Sequence, residues 1–222
     1  MSKLHVVITG SNRGIGLALT KKYVERGDRV TALCRSPSAE LKELDVNIIE
    51  DIDVTDPEGI KKAAKALSDR TVDVLINNAG QLKTEDLGEL DRDSIESQFR
   101  VNAVGPLLLT EALRPAMREG SKVAMITSRM ASMADNGSGG YYGYRMSKAA
   151  LNAAGVSLAN DLQGDGIAVG MLHPGFVKTD MVDKQGDISP EEAARRLVQR
   201  IDELGLSNTG HFRHSNGESL PW

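Results

Sequence analysis

Tyr144 and Lys148 stand four residues apart in the stretch Tyr141-Tyr-Gly-Tyr-Arg-Met-Ser-Lys-Ala-Ala150. On a helix that spacing places a phenol and an ammonium on one face, within reach of one reacting atom. A phenol with a reference pKa of about 10 is a poor acid-base catalyst at pH 7, and an adjacent positive charge favours its ionised form. The pair therefore reads as a proton donor and its activator. The same spacing also suits an amphipathic surface pair, so the decision rests on the elements that would position it.

Leu4 to Thr9 is a short apolar, β-branched run that ends at Gly10, and Ile15, Ala18, Leu19 and Tyr23 then recur at helical spacing up to Gly27. Further strands are expected at Val30 to Leu33, Val46 to Ile49 and Val72 to Ile76. Pro57 after Asp56 opens a helix where a missing amide costs little. A long helical segment follows from about Asp91 to Met117, with a bend expected at Gly105-Pro106. Lys122 to Thr127 is a strand, Gly137 to Gly140 a loop, and the helix bearing Tyr144 and Lys148 comes next. Ile167 to Leu172 is another strand, Ser189-Pro-Glu-Glu192 is a capping box that starts a late helix to about Leu204, and a weak strand is expected around His211 to Arg213.

Strands and helices alternating in this way imply an α/β fold, a single-domain, doubly wound parallel sheet with helices on both faces over residues 1–222. Ligands of such sheets bind at the carboxyl ends of the strands. Gly10 to Gly16, Asn77 to Gly80, Ser128 and Pro174-Gly175 all fall there.

The bulk composition narrows the function classes. A 40% hydrophobic fraction with 26% charged residues supports a substantial core, and a net charge of -4 leaves no basic footprint for nucleic acid. Cys34 is the only cysteine, which excludes an intrachain disulfide and a thiolate metal cluster and fits a reducing compartment. The four histidines, His5, His173, His211 and His214, show no metal spacing. The N-terminal apolar run is too short for a signal peptide, and no segment approaches the roughly 18 apolar residues of a membrane span, so a cytoplasmic protein without membrane insertion is expected.

Gly10, Gly14 and Gly16 lie between the first strand and the first helix, where missing side chains let backbone amides approach a pyrophosphate. The spacing Gly-x-x-x-Gly-x-Gly meets only half of the usual dinucleotide fingerprint, and the absence of Gly-Lys-Ser or Gly-Lys-Thr excludes a nucleoside triphosphate P-loop. A carboxylate at the end of the second strand would bond the ribose hydroxyls of NAD(H). That strand ends instead at Leu33-Cys34-Arg35-Ser36. Arg35 from this side and Arg13 from the glycine loop suit a 2′-phosphate, which points to NADP(H) over NAD(H).

Thr9-Gly-x-x-x-Gly-x-Gly16, Asn77-Asn-Ala-Gly80, Asn102, Ser128, Tyr144-x-x-x-Lys148 and Pro174-Gly175 together resemble the short-chain dehydrogenase/reductase family in order and separation. The resemblance runs from the first strand to about Asp180. It implies a Rossmann-type domain of seven parallel strands, a nicotinamide cofactor and a small carbonyl or alcohol substrate. It also implies four catalytic residues: Asn102 kinking its helix and holding a relay water, Ser128 on the substrate oxygen, Tyr144 as acid-base, and Lys148 on the nicotinamide ribose. Cofactor contacts implied by the same resemblance are Gly10, Asn12, Arg13, Gly14, Ile15 and Gly16 in the loop, and Arg35, Asp53 and Val54 near the adenosine. Asn77, Ala79 and Gly80 follow beside the fourth strand, then Tyr144 and Lys148, then Pro174, Gly175, Val177 and Thr179 near the nicotinamide.

Two departures sharpen the comparison. Thr127-Ser128 stands where many members carry two serines, and Ser128 to Tyr144 spans sixteen positions, lengthened by Asn136-Gly-Ser-Gly-Gly140. The longer loop and the ending Gly-Glu-Ser-Leu-Pro-Trp222 are similar to the subgroup of C-factor-like proteins and Sniffer-type carbonyl reductases. Carbonyl reduction is the activity this implies, with a nucleotide-binding signalling protein of little turnover as the alternative. The segment 176–188 is expected to form a short substrate lid, and the long helices around 91–117 and 144–162 to form a homodimer or homotetramer interface by the same resemblance.

Overall fold

In the computed structural model, residues 3–222 are described, and they build seven strands and seven α-helices in alternation. In chain order these are β1 (His5–Thr9), α1 (Gly14–Glu25), β2 (Arg29–Leu33), α2 (Ala39–Lys42), β3 (Asn47–Ile49), α3 (Pro57–Leu67) and β4 (Val74–Asn77). Then follow α4 (Arg92–Phe99), α5 (Gly105–Leu113), β5 (Lys122–Ile126), α6 (Tyr142–Leu162), β6 (Ala168–His173), α7 (Pro190–Glu203) and β7 (Phe212–His214). All strand pairs are parallel, and the sheet order is β3-β2-β1-β4-β5-β6-β7. The order reverses between β1 and β4, which opens a crevice at their carboxyl ends.

The strand pleat sorts side chains between two cores. Val7, Leu75, Val123, Met125 and Val169 face one side of the sheet, where they pack with Leu67, Leu109 and Leu151 from α3, α5 and α6. Val6, Ile8, Val74, Ile76 and Ala124 face the other, against Leu19 and Tyr23 of α1 and Leu197 and Ile201 of α7. Continuous apolar strands are the signature of a sheet covered on both faces.

Helix starts follow local chemistry. Asp56 Oδ1 accepts from the Glu58 amide at 3.0 Å with Pro57 at the first helical position, and Asp91 caps α4 through the Asp93 and Ser94 amides. The capping box expected at Ser189 forms in one direction: Ser189 Oγ accepts from the Glu192 amide, but the Glu192 carboxylate turns to Arg195 and Arg196. That pairing holds the Glu192 carboxyl down at about 2.

The expected bend lies one turn earlier than Gly105-Pro106. Residues Arg100–Val104 form a π-helical turn between α4 and α5, closed by the Gly105 amide on the Arg100 carbonyl. Pro106 has no amide to donate, and its ring crowds the carbonyl four residues back, which is that of Asn102. The disturbance therefore falls on the residues before the proline. The short helix α2 was not expected from the sequence; Ser38 caps it by accepting from the Leu41 amide.

Candidate active site

Thr9 closes β1, and its hydroxyl accepts from the amides of Asn78 and Ala79, both at 2.9 Å. Asn78 Nδ2 returns a bond to the Thr9 carbonyl at 2.9 Å, so the glycine loop and the segment after β4 are pinned together. Gly10 has φ +67, and a Cβ on Gly16 would lie 2.2 Å from the Gly10 carbonyl oxygen. No side chain larger than hydrogen fits there. The first turn of α1 carries neither a side-chain cap nor an acidic residue, which leaves its orphan amides facing the crevice.

A cleft of ≈ 610 Å³ runs from this loop along the strand ends, a volume within the range of cofactor sites. Gly10, Asn12, Arg13, Gly14, Ile15 and Gly16 form one wall, with Arg35, Asp53 and Val54 at the end of β2 and after β3. Ala79 and Gly80 line its middle, and Tyr144, Lys148, Pro174 and Thr179 its far end. Thr179 lies across the loop, its methyl 3.4 Å from where a Gly14 Cβ would stand. Arg13 and Arg35 are exposed at the rim, and among the described residues neither forms an ion pair.

Three residues expected at the cofactor do not line this cleft. The Asn77 side chain turns under the sheet end, where Nδ2 donates to Thr110 Oγ1 at 3.0 Å and approaches Met125 Sδ, and its neighbour Asn78 lines the cleft instead. The strand pleat decides between the two asparagines. Val177 is buried in a bridge with Ile188, and Gly175 provides a turn at φ +99. Neither lines the cleft.

At the inner end, Tyr144 and Lys148 are buried on the same face of α6, with Lys148 Nζ 5.8 Å from the Tyr144 ring centre. Nζ donates to the Ile126 carbonyl at 2.8 Å, at the carboxyl end of β5. Burial pushes this lysine down to about 8. Burial also pushes the Tyr144 phenol up, opposed by the neighbouring Ser128 side chain. The expected lowering of the phenol is thus not supplied by the protein groups alone, because desolvation outweighs Ser128. Ser128 lies in the loop after β5, and its Oγ accepts from the Met130 amide at 3.1 Å.

Asn102 lies in the π-helical turn and is fully buried. Its Nδ2 donates to the Gln81 carbonyl at 2.7 Å and to Ser147 Oγ at 2.9 Å, while Oδ1 accepts from the Gln81 amide at 2.8 Å. Ser147 Oγ in turn donates to the Tyr144 carbonyl at 2.8 Å. A chain of hydrogen bonds therefore joins the segment after β4 to the turn that holds Tyr144.

Residues beyond those read from the sequence also shape the site. Arg145 Nη2 donates to Ser138 Oγ at 2.8 Å and Nε to the Gly140 carbonyl at 3.2 Å, tying the lengthened glycine loop to α6. Met181 and Leu82 line the cleft, whereas Met125 and Met171 are core and Met133 is exposed. His173 ends β6 with its ring edge-on to His214 at 4.8 Å, and burial pushes it down to about 3, so it is neutral. Asn78 lies within the Asn77-Asn-Ala-Gly80 motif, whereas Arg145 and Leu82 carry no signal in the sequence that separates them from ordinary loop and surface residues. Among the described residues no helix is long and apolar enough to cross a membrane, and no three His, Cys, Asp or Glu side chains converge as metal ligands.

Comparison with known proteins gives this geometry a family. Residues 4–203 match the model of the short chain dehydrogenases. The chain is 40% identical over 223 residues to a 1-hydroxy-2-glutathionyl-2-methyl-3-butene dehydrogenase of Rhodococcus sp., covering 98% of this chain and 99% of the relative. It is 43% identical over 154 residues to C-signal of Myxococcus xanthus, covering 68% of this chain and 93% of that protein. Carbonyl reductase Sniffer of D. melanogaster superposes with a TM-score of 0.91 at 30% identity, and an NADPH-bound carbonyl reductase from chicken fatty liver with 0.91 at 28%. Each superposition covers 100% of both chains. Whole-length likeness in sequence and fold shows that the chain belongs to the short-chain dehydrogenase/reductase family of oxidoreductases.

Proposed function

We propose that this protein is an NADP(H)-dependent carbonyl reductase. The observation that carries the proposal is the buried Tyr144 phenol, beside Ser128 and sharing a helix face with Lys148 at the inner end of a dinucleotide-sized cleft. The glycine loop, the uncapped first turn of α1, Arg13 and Arg35 fit a dinucleotide with a 2′-phosphate, and the NADPH-bound relative supports the same cofactor. A bound nicotinamide supplies the hydride for the carbonyl carbon.

The chain's own residues handle the oxygen. Ser128 and Tyr144 donate hydrogen bonds to it, stabilising the charge that develops, and Tyr144 passes its proton to the oxygen as the alcohol forms. Lys148, at about 8, is mostly charged at pH 7 and favours the phenolate that remains. Asn102 keeps the Tyr144 turn in register with the segment after β4.

Substrates are read as bulky or varied carbonyls. The segment 176–188 acts as a short lid, folded back on itself by the Val177–Ile188 bridge and a 3₁₀ turn at Asp180–Val182. The Rhodococcus relative's name describes a hydroxyl compound bearing a glutathionyl group, so thioether alcohols and aldehydes belong in the substrate panel. Phe99, Leu107 and Leu108 are exposed on α4 and α5 and support a homodimer or homotetramer through these helices, a state that sedimentation measures.

NADPH consumption with aldehydes, ketones and quinones tests the proposal, and turnover with at least one class is expected. Arg13→Ala with Arg35→Ala is expected to lower the NADPH to NADH preference in kcat/KM by about 10- to 100-fold, the scale of one or two charge-assisted bonds. The likeness to C-signal supports the second reading, a nucleotide-binding signalling protein. Tight NADPH binding with no turnover of any carbonyl or alcohol would establish that reading instead.

A further inference from the structure

The segment after β4 is exposed from Lys83 to Asp93 with one exception. Glu85 is 3% exposed, while Leu87 two positions later is 80% exposed. A carboxylate inside and a leucine outside reverses the ordinary partition, so something specific must hold the charge.

Its partners are neutral donors from two helices. Oε1 accepts from Ser94 Oγ at 2.7 Å and from Gln98 Nε2, both on α4, and Oε2 accepts from the Gly143 amide at 3.0 Å in the first turn of α6. The Glu85 carbonyl accepts from the Tyr141 amide at 2.9 Å. Helix α6 has no side-chain cap of its own, and its N-cap residue Tyr141 is left-handed at φ 52. Glu85 therefore caps, from a distant loop, the helix that carries Tyr144, with its charge at the positive end of the helix dipole.

The packing leaves little freedom. A Cβ on Gly143 would lie 2.5 Å from Gln98 Nε2 and 3.0 Å from both Glu85 Oε1 and Ile95 Cα. Gln98 Oε1 accepts from the Lys83 amide at 2.9 Å, which fixes the amide orientation and directs its donor at Glu85. Tyr144 follows Gly143 directly, and Arg145 anchors the other side of the same turn.

We propose that Glu85 is a positioning residue for Tyr144, holding the first turn of α6 so that the phenol meets Ser128 and the substrate oxygen. The kinetic part rests on Tyr144 being the proton donor of the proposed reductase; the structural part does not. Glu85→Ala and Glu85→Gln test it in the full-length protein. Glu85→Ala is expected to speed amide exchange in Tyr141–Arg145 by about 10-fold or more, with the rest of α6 still protected. It is expected to lower kcat by about 10- to 100-fold while the NADPH Kd changes less than about 2-fold, the scale of a small displacement of a reacting group. Glu85→Gln keeps an acceptor for the Gly143 amide and should recover most of both effects.

Unchanged exchange at Gly143 in folded Glu85→Ala overturns the proposal. So does a lower melting temperature with kcat and its pH profile unaltered, which is what a merely structural carboxylate would give. If Glu85→Ala does not fold, Glu85→Gln against Gln98→Ala carries the comparison, and normal exchange and normal kcat in both overturn it. Should the wild-type protein turn over no carbonyl, the reductase reading fails, and exchange at Gly143 alone still decides whether Glu85 holds the turn.

Discussion

Asn102→Ala removes three hydrogen bonds at once. The buried Asn102 amide spans the Gln81 carbonyl at 2.7 Å, the Gln81 amide at 2.8 Å and Ser147 Oγ at 2.9 Å, the last fully buried and the two Gln81 bonds partly so. A protein hydrogen bond contributes about 1 kcal/mol net, and a buried group left without a partner costs roughly 1–3 kcal/mol. Ser147 keeps its bond to the Tyr144 carbonyl, so the two Gln81 main-chain groups carry most of the loss. The expected destabilisation is about 3 kcal/mol, a large fraction of the roughly 5–15 kcal/mol that holds a typical domain. Urea denaturation measures it as a lower midpoint at constant slope. The same variant should lose kcat, because the Gly80–Gln81 backbone lies beside Lys148: a Cβ on Gly80 would be 3.7 Å from Nζ and 3.3 Å from Asn102 Oδ1. A folded variant destabilised by less than about 1 kcal/mol, with kcat intact, would refute the claim that Asn102 ties this segment to the Tyr144 turn.

Lys148→Met should abolish NADPH-dependent reduction yet raise stability at pH 7 by about 1–3 kcal/mol, since a lysine pushed down to about 8 from about 10.4 binds fewer protons folded than unfolded, a penalty present below pH 8 and fading as pH rises to 10.4. The Ile126 carbonyl, which loses its donor, offsets part of that gain, and urea melts at pH 7 and pH 10 measure the remainder. His173 is pushed down to about 3 against about 6.5 unfolded, so its burial costs nothing above pH 6.5 and roughly 2 kcal/mol at pH 5. His173→Gln should therefore flatten the fall in stability between pH 6.5 and pH 5, and an unchanged slope would count against a neutral buried imidazole. Gly16→Ala places a methyl 2.2 Å from the Gly10 carbonyl oxygen, and NADPH fluorescence titration should show at least about 10-fold weaker binding.

Much of this molecule is legible along the chain because its signals are local. Helix caps at Asp56-Pro57 and Ser189-Pro190 act over three residues, apolar strands declare a sheet covered on both faces, and the glycine spacing marks the tight turn between β1 and α1. The Tyr144 and Lys148 spacing puts both groups on one helix face before any packing is known. Other features depend on groups far apart in sequence. Which of Asn77 and Asn78 faces the cleft depends on strand parity at its last residue, a one-position matter that tertiary contacts with Thr110 and Met125 settle. The π-helical turn at Arg100–Val104 needs both Pro106 ahead of it and a place for Asn102 between Gln81 and Ser147. Glu85 reads in the sequence as one more acidic loop residue; only the meeting of α4 with the first turn of α6 makes it a buried cap. The direction in which the Tyr144 phenol moves is likewise non-local, since the sequence supplies the Ser128 hydroxyl, but the burial that outweighs it is made by the whole fold.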